Sequence, residues 1–462
     1  MKVSTILYSV AGTILLYMVA VTGSGCAQIG AISGGDKDTL APVLVSSSPK
    51  IPATNITGNK ITLNFNEYVD VQELQNNLIV SPYPKNMPEV TSRLKTVSIK
   101  LKDSLLPNTT YAIQFGNAIR DVNEANPVKD FTYVFSTGNS IDSLSLGGKV
   151  LLAESGKADS TLIVMLYRNA NDSSVQQQKP TYIANVKGDG SFIFHHLPKE
   201  NFSIYALKDG DGGKTYNSKT EPFAFMDKQV NPADTIAGLV LYAYEEEKKD
   251  KILPGAAKPK AAAPKKLRYA TKLGNEKQDL RAPLELSFSN KLKSADSTKI
   301  VLTDTNYNPI ATTYTIDSNL LVIKTKWAED ADYRLIITKN AVTDIADSSL
   351  SKTDTLKFKT RASTDYGNLV LRFNNIDFKK HPVLQFVQDN AIKESFPITG
   401  KEWTYKLFPP GEYEIRILYD DNNNGKWDPG SYSKKLQPEK VVALPKKFAV
   451  KENWDNESEI SL

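Results

Sequence analysis

The sequence predicts an all-β chain of tandem β-sandwich modules in an A-B-linker-A′-B′ array. Three observations predict it. Short segments alternate apolar and polar residues with Pro, Asn and Gly between them, as half-buried strands do. Tyr (21) outnumbers Phe (17), and Thr, Val and Ile fill the alternating segments, a profile suited to pleated surfaces. The second half of the chain also restarts the first. Hydrophobic residues at 40% and charged residues at 24% of 462 make this globular material. With one cysteine there is no internal disulfide, so the modules depend on their cores.

Residues 1–25 read as a signal peptide: Lys2 gives a positive start, residues 3–21 are uncharged, and Gly23-Ser24-Gly25 leads to Cys26. The segment resembles a bacterial lipoprotein leader, which implies cleavage before Cys26, lipidation of its thiol and membrane attachment. Gly23 stands where such leaders usually carry Leu or Val, a relaxed form found in Bacteroidetes-type envelopes. An uncleaved signal anchor and plain secretion are the other readings. Residues 26–38 form a small, polar tether. Gln28 suits export to an outer membrane, and the first acids, Asp36 and Asp38, leave a periplasmic and an outward face both open.

Module A spans 39–138. Ile61, Leu63 and Phe65 share one strand face, as do Val97, Ile99 and Leu101. Module B spans 143–244, with an apolar strand at 162–167 and the turn Lys187-Gly188-Asp189-Gly190 before Phe192. A Pro/Ala/Lys spacer covers 245–268. Module A′ (269–361) follows because 284–288, 340–344 and 356–360 correspond in order to 61–65, 117–121 and 133–137. Module B′ with the tail (366–462) follows because 413–418 parallels 202–207, and Thr399-Gly400 before Trp403 loosely matches the turn before Phe192.

Residues 42–137, with the turn Pro107-Asn108-Thr109-Thr110-Tyr111 and the ending Phe135-Ser136-Thr137, resemble the bacterial Ig-like domain of the S-layer (SbsA) type. The second copy matches more weakly, with Glu329-Asp330-Ala331-Asp332-Tyr333 at that turn. Residues 146–241 resemble prealbumin-like, carboxypeptidase-regulatory-like modules through Gly190-Ser191-Phe192 and the Tyr205-x-Leu207-x-Asp209 pattern, and 368–444 look like a degenerate version. The resemblance implies fold and an envelope location, and brings no catalytic residues.

The sharpest local motif is the run 420–430. Asp420, Asn422, Asn424 and Asp428 place oxygens at positions 1, 3, 5 and 9 with Gly425 at 6, the start of a calcium loop of the EF-hand type, but position 12 is Ser431 instead of Glu. The competing reading is a hairpin held by Asx side chains. The run from Asp209 keeps oxygens at 1, 3 and 9 only. Calcium at Asp420, Asn422, Asn424 and Asp428 is therefore a candidate cofactor site.

Other chemistry is sparse. His195 and His196 are adjacent on a strand and point to opposite faces, and His381 is distant. Glu67, Asp70 and Glu73 follow a strand as solvated acids. There is no phosphate loop, and no basic face for nucleic acid. Tyr68, Tyr83, Tyr182, Tyr216, Trp403, Trp427 and Tyr432 lie in or near turns, where a ring could stack on a sugar or peptide, with Trp427 foremost. The expectation is a non-enzymatic, membrane-anchored structural or protein-interaction module. Glycan binding by loop aromatics is the alternative, and hydrolysis the poorest reading. Expected partners are the membrane through Cys26, and envelope proteins or glycans.

Overall fold

The structure is a computed structural model that describes residues 10–14, 17–18, 37–168, 171, 173–234, 238–248, 267–273 and 277–462. Cys26 lies outside the described residues, as do 249–266 of the expected spacer. No helix among the described residues is long and apolar enough to cross a membrane. Two compact units divide the chain: residues to 80 with 85–139, and residues 81–84 with 140–462. The all-β expectation holds, with sandwiches built from short, mostly antiparallel sheets.

In the first unit, Leu44–Ser48, Lys60–Phe65, Thr96–Lys100 and Glu89–Arg93 form one sheet in that order, and Thr110–Gln114 pairs with Thr132–Ser136 in the other. The alternation read from sequence decides which face is buried. Ile61, Leu63, Phe65, Val97 and Ile99 meet Ile113, Tyr133 and Phe135 in the core. Each such side chain contributes roughly 1.5–3 kcal/mol through burial. The Tyr133 hydroxyl donates to the carbonyl of Pro49 at 2.8 Å, and burial pushes its pKa up to about 12.

In the second unit, A′ repeats A strand for strand. Tyr269–Thr271, Leu284–Phe288, Leu320–Lys324 and Thr313–Asp317 reproduce the first sheet's order, and Asp332–Ile337 beside Asp354–Thr360 reproduces the second. The weak point of the resemblance is the turn into Tyr333, and its hydrogen bonds are conserved without the sequence. The Leu106 N–H donates to the Tyr111 hydroxyl (2.7 Å), and the Ala328 N–H to that of Tyr333 (3.0 Å). Thr137 Oγ1 donates to the Leu106 carbonyl (2.7 Å), and Thr360 Oγ1 to that of Ala328 (2.6 Å). The work lies in Tyr and Thr; Pro107 and Asn108 are replaceable.

B and B′ also share a topology. In B, Leu144–Leu152 pairs antiparallel with Ser191–Leu197 and parallel with Val240–Ala243. In B′, Gly367–Asn374 pairs antiparallel with Glu402–Phe408 and parallel with Asp455–Ser461. Each copy uses a glycine for a close backbone approach, at different positions: Gly367 opens the bulge where B has Leu144, and Gly148 stands where B′ has Leu371. A Cβ on Gly148 would lie 2.5 Å from the Leu239 carbonyl oxygen, and one on Gly367 2.6 Å from that of Lys451. In each copy the backbone leading into the parallel strand passes there, and a side chain would collide with it.

The expected spacer needs correcting at both ends. The Glu247 N–H donates to the Lys219 carbonyl, and Glu246 accepts from the Tyr216 hydroxyl at 3.0 Å. At the other end, Leu267 is buried in the A′ core. A charge run beside Pro and Ala reads as a solvated spacer, yet Glu246 has buried donors to satisfy.

Candidate functional site

Part of the set singled out by sequence, Tyr216, Trp427, Tyr432 and the loop from Asp420 to Asp428, comes together where B′ meets B. The second sheet of B runs Tyr182–Asn185, Ile163–Arg168, Phe202–Leu207 and Phe223–Phe225. Its inward face supplies the B core through Val164, Leu166 and Ile204. Its outward face carries Met165, Tyr167, Tyr205, Phe223 and Phe225, an apolar surface that water would otherwise cover. Tyr432 of B′ covers it. Its ring sits 5.2 Å from those of Phe223 and Phe225 and 6.0 Å from Tyr205, in edge-to-face geometry.

Polar contacts frame that seat. Glu246 accepts the Tyr432 N–H at 3.0 Å and the Ser431 hydroxyl at 3.3 Å. The Gln437 side-chain amide donates to the Phe225 carbonyl at 3.2 Å. Lys157 pairs with Glu414 at 2.6 Å, and the buried Arg416 donates to the same carboxylate at 2.7 Å. Burial alone would raise the Glu414 pKa, but the hydrogen bonds from Lys157 and Arg416 outweigh it and hold the group below its ordinary value. Burial pushes the Tyr205, Tyr216 and Tyr244 hydroxyls well above the usual phenol range, with Glu246's charge adding at Tyr216 and Tyr244.

The loop 420–430 supports this seat and brings Asp420, Asn422, Asn424 and Asp428 together. Asp420 is buried; its Oδ1 accepts the Asn424 N–H (3.1 Å) and its Oδ2 the Gly425 N–H (2.6 Å). Asp428 Oδ2 accepts both side-chain amides, from Asn424 at 2.7 Å and from Asn422. Ser431, at position twelve, is turned to Glu246. Glu439, which sequence reading missed, accepts the N–H groups of Asp421 and Asp428, each at 2.9 Å. Burial raises its pKa, the two N–H groups oppose this, and Asp420 and Asp428 add to the rise. The donor set suits calcium in its oxygen chemistry, while the carboxylates already close the turn through the loop's own N–H groups.

The paired loop in B has the same frame with one exchange. Asp209 accepts the Lys214 N–H at 3.1 Å, as Asp420 accepts the Gly425 N–H at the same position of its loop. The Asn217 amide donates to Asp211 at 2.6 Å, whereas in B′ Asn422 donates to Asp428. Acid and amide have traded places.

Of the candidate aromatics, Tyr182, Tyr216 and Tyr432 are buried, so none of them presents a stacking face to solvent. Turn position suggested exposure, and tertiary packing decided otherwise. Trp403 is half-buried against Phe396 and Tyr405. Tyr83 donates its N–H to Thr181 at 2.7 Å, and Tyr68 is exposed. Trp427 is half-buried and donates its indole N–H to the Glu439 carbonyl at 2.9 Å. It forms one wall of a cleft of about 420 Å³ with Lys157, Lys208, Tyr244, Lys248 and Arg416. Acids answer those cations: Asp159 lies 3.1 Å from Lys208, and Glu154 2.6 Å from Lys248.

His195 and His196 lie 6.3 Å apart between ring centroids and take separate partners, Ser145 and the Asp142 carbonyl. Asp70 accepts from Gln72 and Ser92, and Glu73 stands 3.7 Å from Arg120. No cluster of three or more His, Cys, Asp or Glu suited to a metal occurs among the described residues.

No curated protein matches the chain. Among solved structures it is similar to the N-terminal part of the bacterial S-layer protein SbsC, at 16% identity, covering 45% of this chain and 44% of that one, with a TM-score of 0.16. The chain thus spans less than half of that structure. It is also similar to the Bacillus anthracis TIE protein, at 12% identity over 93% and 76% of the two chains with a TM-score of 0.17. A third is BcpA, the major pilin subunit of Bacillus cereus, at 10% identity over 70% and 99% with a TM-score of 0.17. Residues 38–137 match the bacterial Ig-like domain family.

Proposed function

We propose that this chain is a non-enzymatic envelope lipoprotein, held to an outer membrane through Cys26, whose array serves as a structural or protein-interaction module. One observation carries the structural part: the loop most suggestive of a ligand site seats Tyr432 on B instead. B′ is thereby fastened to B with A′ between them in sequence, which suits a scaffold that must keep its shape. The Ig-like match at 38–137 supports an exported, modular protein.

The anchor is tested by replacing Cys26 with Ser in the full chain and growing cells with a radiolabelled fatty acid. The wild type is expected to take up the label and to begin at Cys26, and the variant to stay unlabelled with its leader uncleaved. A wild type that takes up no label would refute lipid anchoring. Glycan binding is a second reading, favoured by Trp427 at the wall of the charged cleft. Titrating envelope glycans against tryptophan fluorescence tests it, and a flat response refutes it.

A further inference from the structure

The strands of the first Ig-like sandwich define two ends. Leu44 pairs with Phe65, Asn64 with Thr96, and Arg93 with Thr96, so the entering chain, the loop after Phe65 and the hairpin at 94–95 share one end. Val122 joins them, since its N–H donates to the Tyr68 carbonyl at 3.2 Å. The segment just after residue 37 is tied to the same end by the Asn126 amide, which donates to the Asp38 carbonyl at 3.0 Å.

That end carries apolar tips. Leu40, Val43, Tyr68, Leu94 and Val122 are 72%, 61%, 54%, 66% and 58% exposed. They come from separate loops, so one stray residue does not explain them. Leu94 has φ +55°, a turn conformation suited to Gly or Asn, and its side chain stays in solvent. Folding has no use for a leucine there. Lys95 lies 5.7 Å from the Tyr68 ring, the pairing of aromatic and long cation that suits a headgroup boundary. Glu67 and Asp38 share the end, so the charge is mixed and a strongly anionic surface is not the fit.

We infer that this end of the first Ig-like module rests on a lipid bilayer surface, with Leu40, Val43, Tyr68, Leu94 and Val122 entering the headgroup region. The occupant follows from the chain itself: Cys26 precedes residue 37 by a short tether, and 37–43 enter at these tips. The inference rests on the anchoring reading above. The lipid fixes the chain to the surface, and an apolar face beside it adds a second contact that orients the module.

The test uses the full chain, lipidated on Cys26, in phosphatidylethanolamine–phosphatidylcholine vesicles. With Cys26 acylated, a cysteine at Leu94→Cys takes an environment-sensitive fluorophore alone, and Leu106→Cys, exposed at the opposite end, is the control. Shallow doxyl lipid is expected to quench roughly half the emission at position 94, as for a group seated ~5–10 Å into the interface, and little at 106. If the protein floats with vesicles and position 94 is no more quenched than 106, the proposal is overturned while anchoring stands. If position 94 is shielded in native envelopes yet unquenched in protein-free vesicles, a protein neighbour covers it and the lipid proposal is likewise overturned. If the protein does not float, anchoring fails and the proposal falls with it.

Discussion

The hydroxyls of Tyr205 and Tyr432 lie 3.3 Å apart, across 227 residues of chain. This contact joins B to B′ although A′ lies between them in sequence. Replacing Tyr432 by Ala is expected to cost about 3–5 kcal/mol, the usual loss for a buried aromatic. Tyr432→Phe keeps the ring and should cost only about 1 kcal/mol. Denaturant unfolding checks both, and equal losses would contradict the aromatic seat.

The exchange of acid and amide between the two loops makes a second prediction. Asn217→Asp sets a new carboxylate against Asp211, and Asn422→Asp sets one against Asp428. Each is expected to destabilise by roughly 0.5–1.5 kcal/mol, the worth of one hydrogen bond. Restoring the pair with Asp211→Asn or Asp428→Asn should recover most of it. Because the carboxylates of each loop are already met by its own amides and N–H groups, melting is expected to coincide in calcium and in chelator. A calcium-dependent rise lost in Asp420→Ala would instead assign the ion to Asp420, Asn422, Asn424 and Asp428.

Gly156 marks the contact of B with the strand Lys440–Ala443. It has φ +67°, and a Cβ there would lie 2.9 Å from both Val441 O and Ala443 N. Gly156→Ala is expected to cost about 1–3 kcal/mol through strain at positive φ and displacement of B′. Gly188→Ala, with open space around its Cβ, is the control and should change melting little.

Acid should unfold A′ through Asp344. Burial would raise its pKa, but the Asn290 amide and the N–H groups of Ser348 and Ala346 outweigh this, so the folded value is lowered. A lowered folded pKa gives stability that is present above the unfolded value near 3.9 and lost as pH falls through the folded one. Asp344→Asn is expected to lower stability at neutral pH by about 1–3 kcal/mol and to flatten its decline in acid. Chemical denaturation across that pH range reads both effects.

The strands were legible because alternation at Ile61, Leu63 and Phe65 is a local signal, and the same signal recurs at Leu284, Leu286 and Phe288. The repeat was legible too, down to Asp121 and Asp344, each accepting N–H groups of the loop that follows it. The docking of B′ was not. Tyr432 looked like a loop ring and Glu246 like part of a spacer, since a contact across most of the chain leaves no periodicity. Loop composition showed that Asp420 and its neighbours belong together, but not that Glu439 closes the turn from beyond it.

B and B′ are fastened through Tyr432. A double-mutant cycle on Phe225→Ala and Tyr432→Ala, read by denaturant unfolding, measures that fastening. Their rings stand 5.2 Å apart, so a coupling of roughly 1–3 kcal/mol is expected. Strict additivity of the two losses would contradict it.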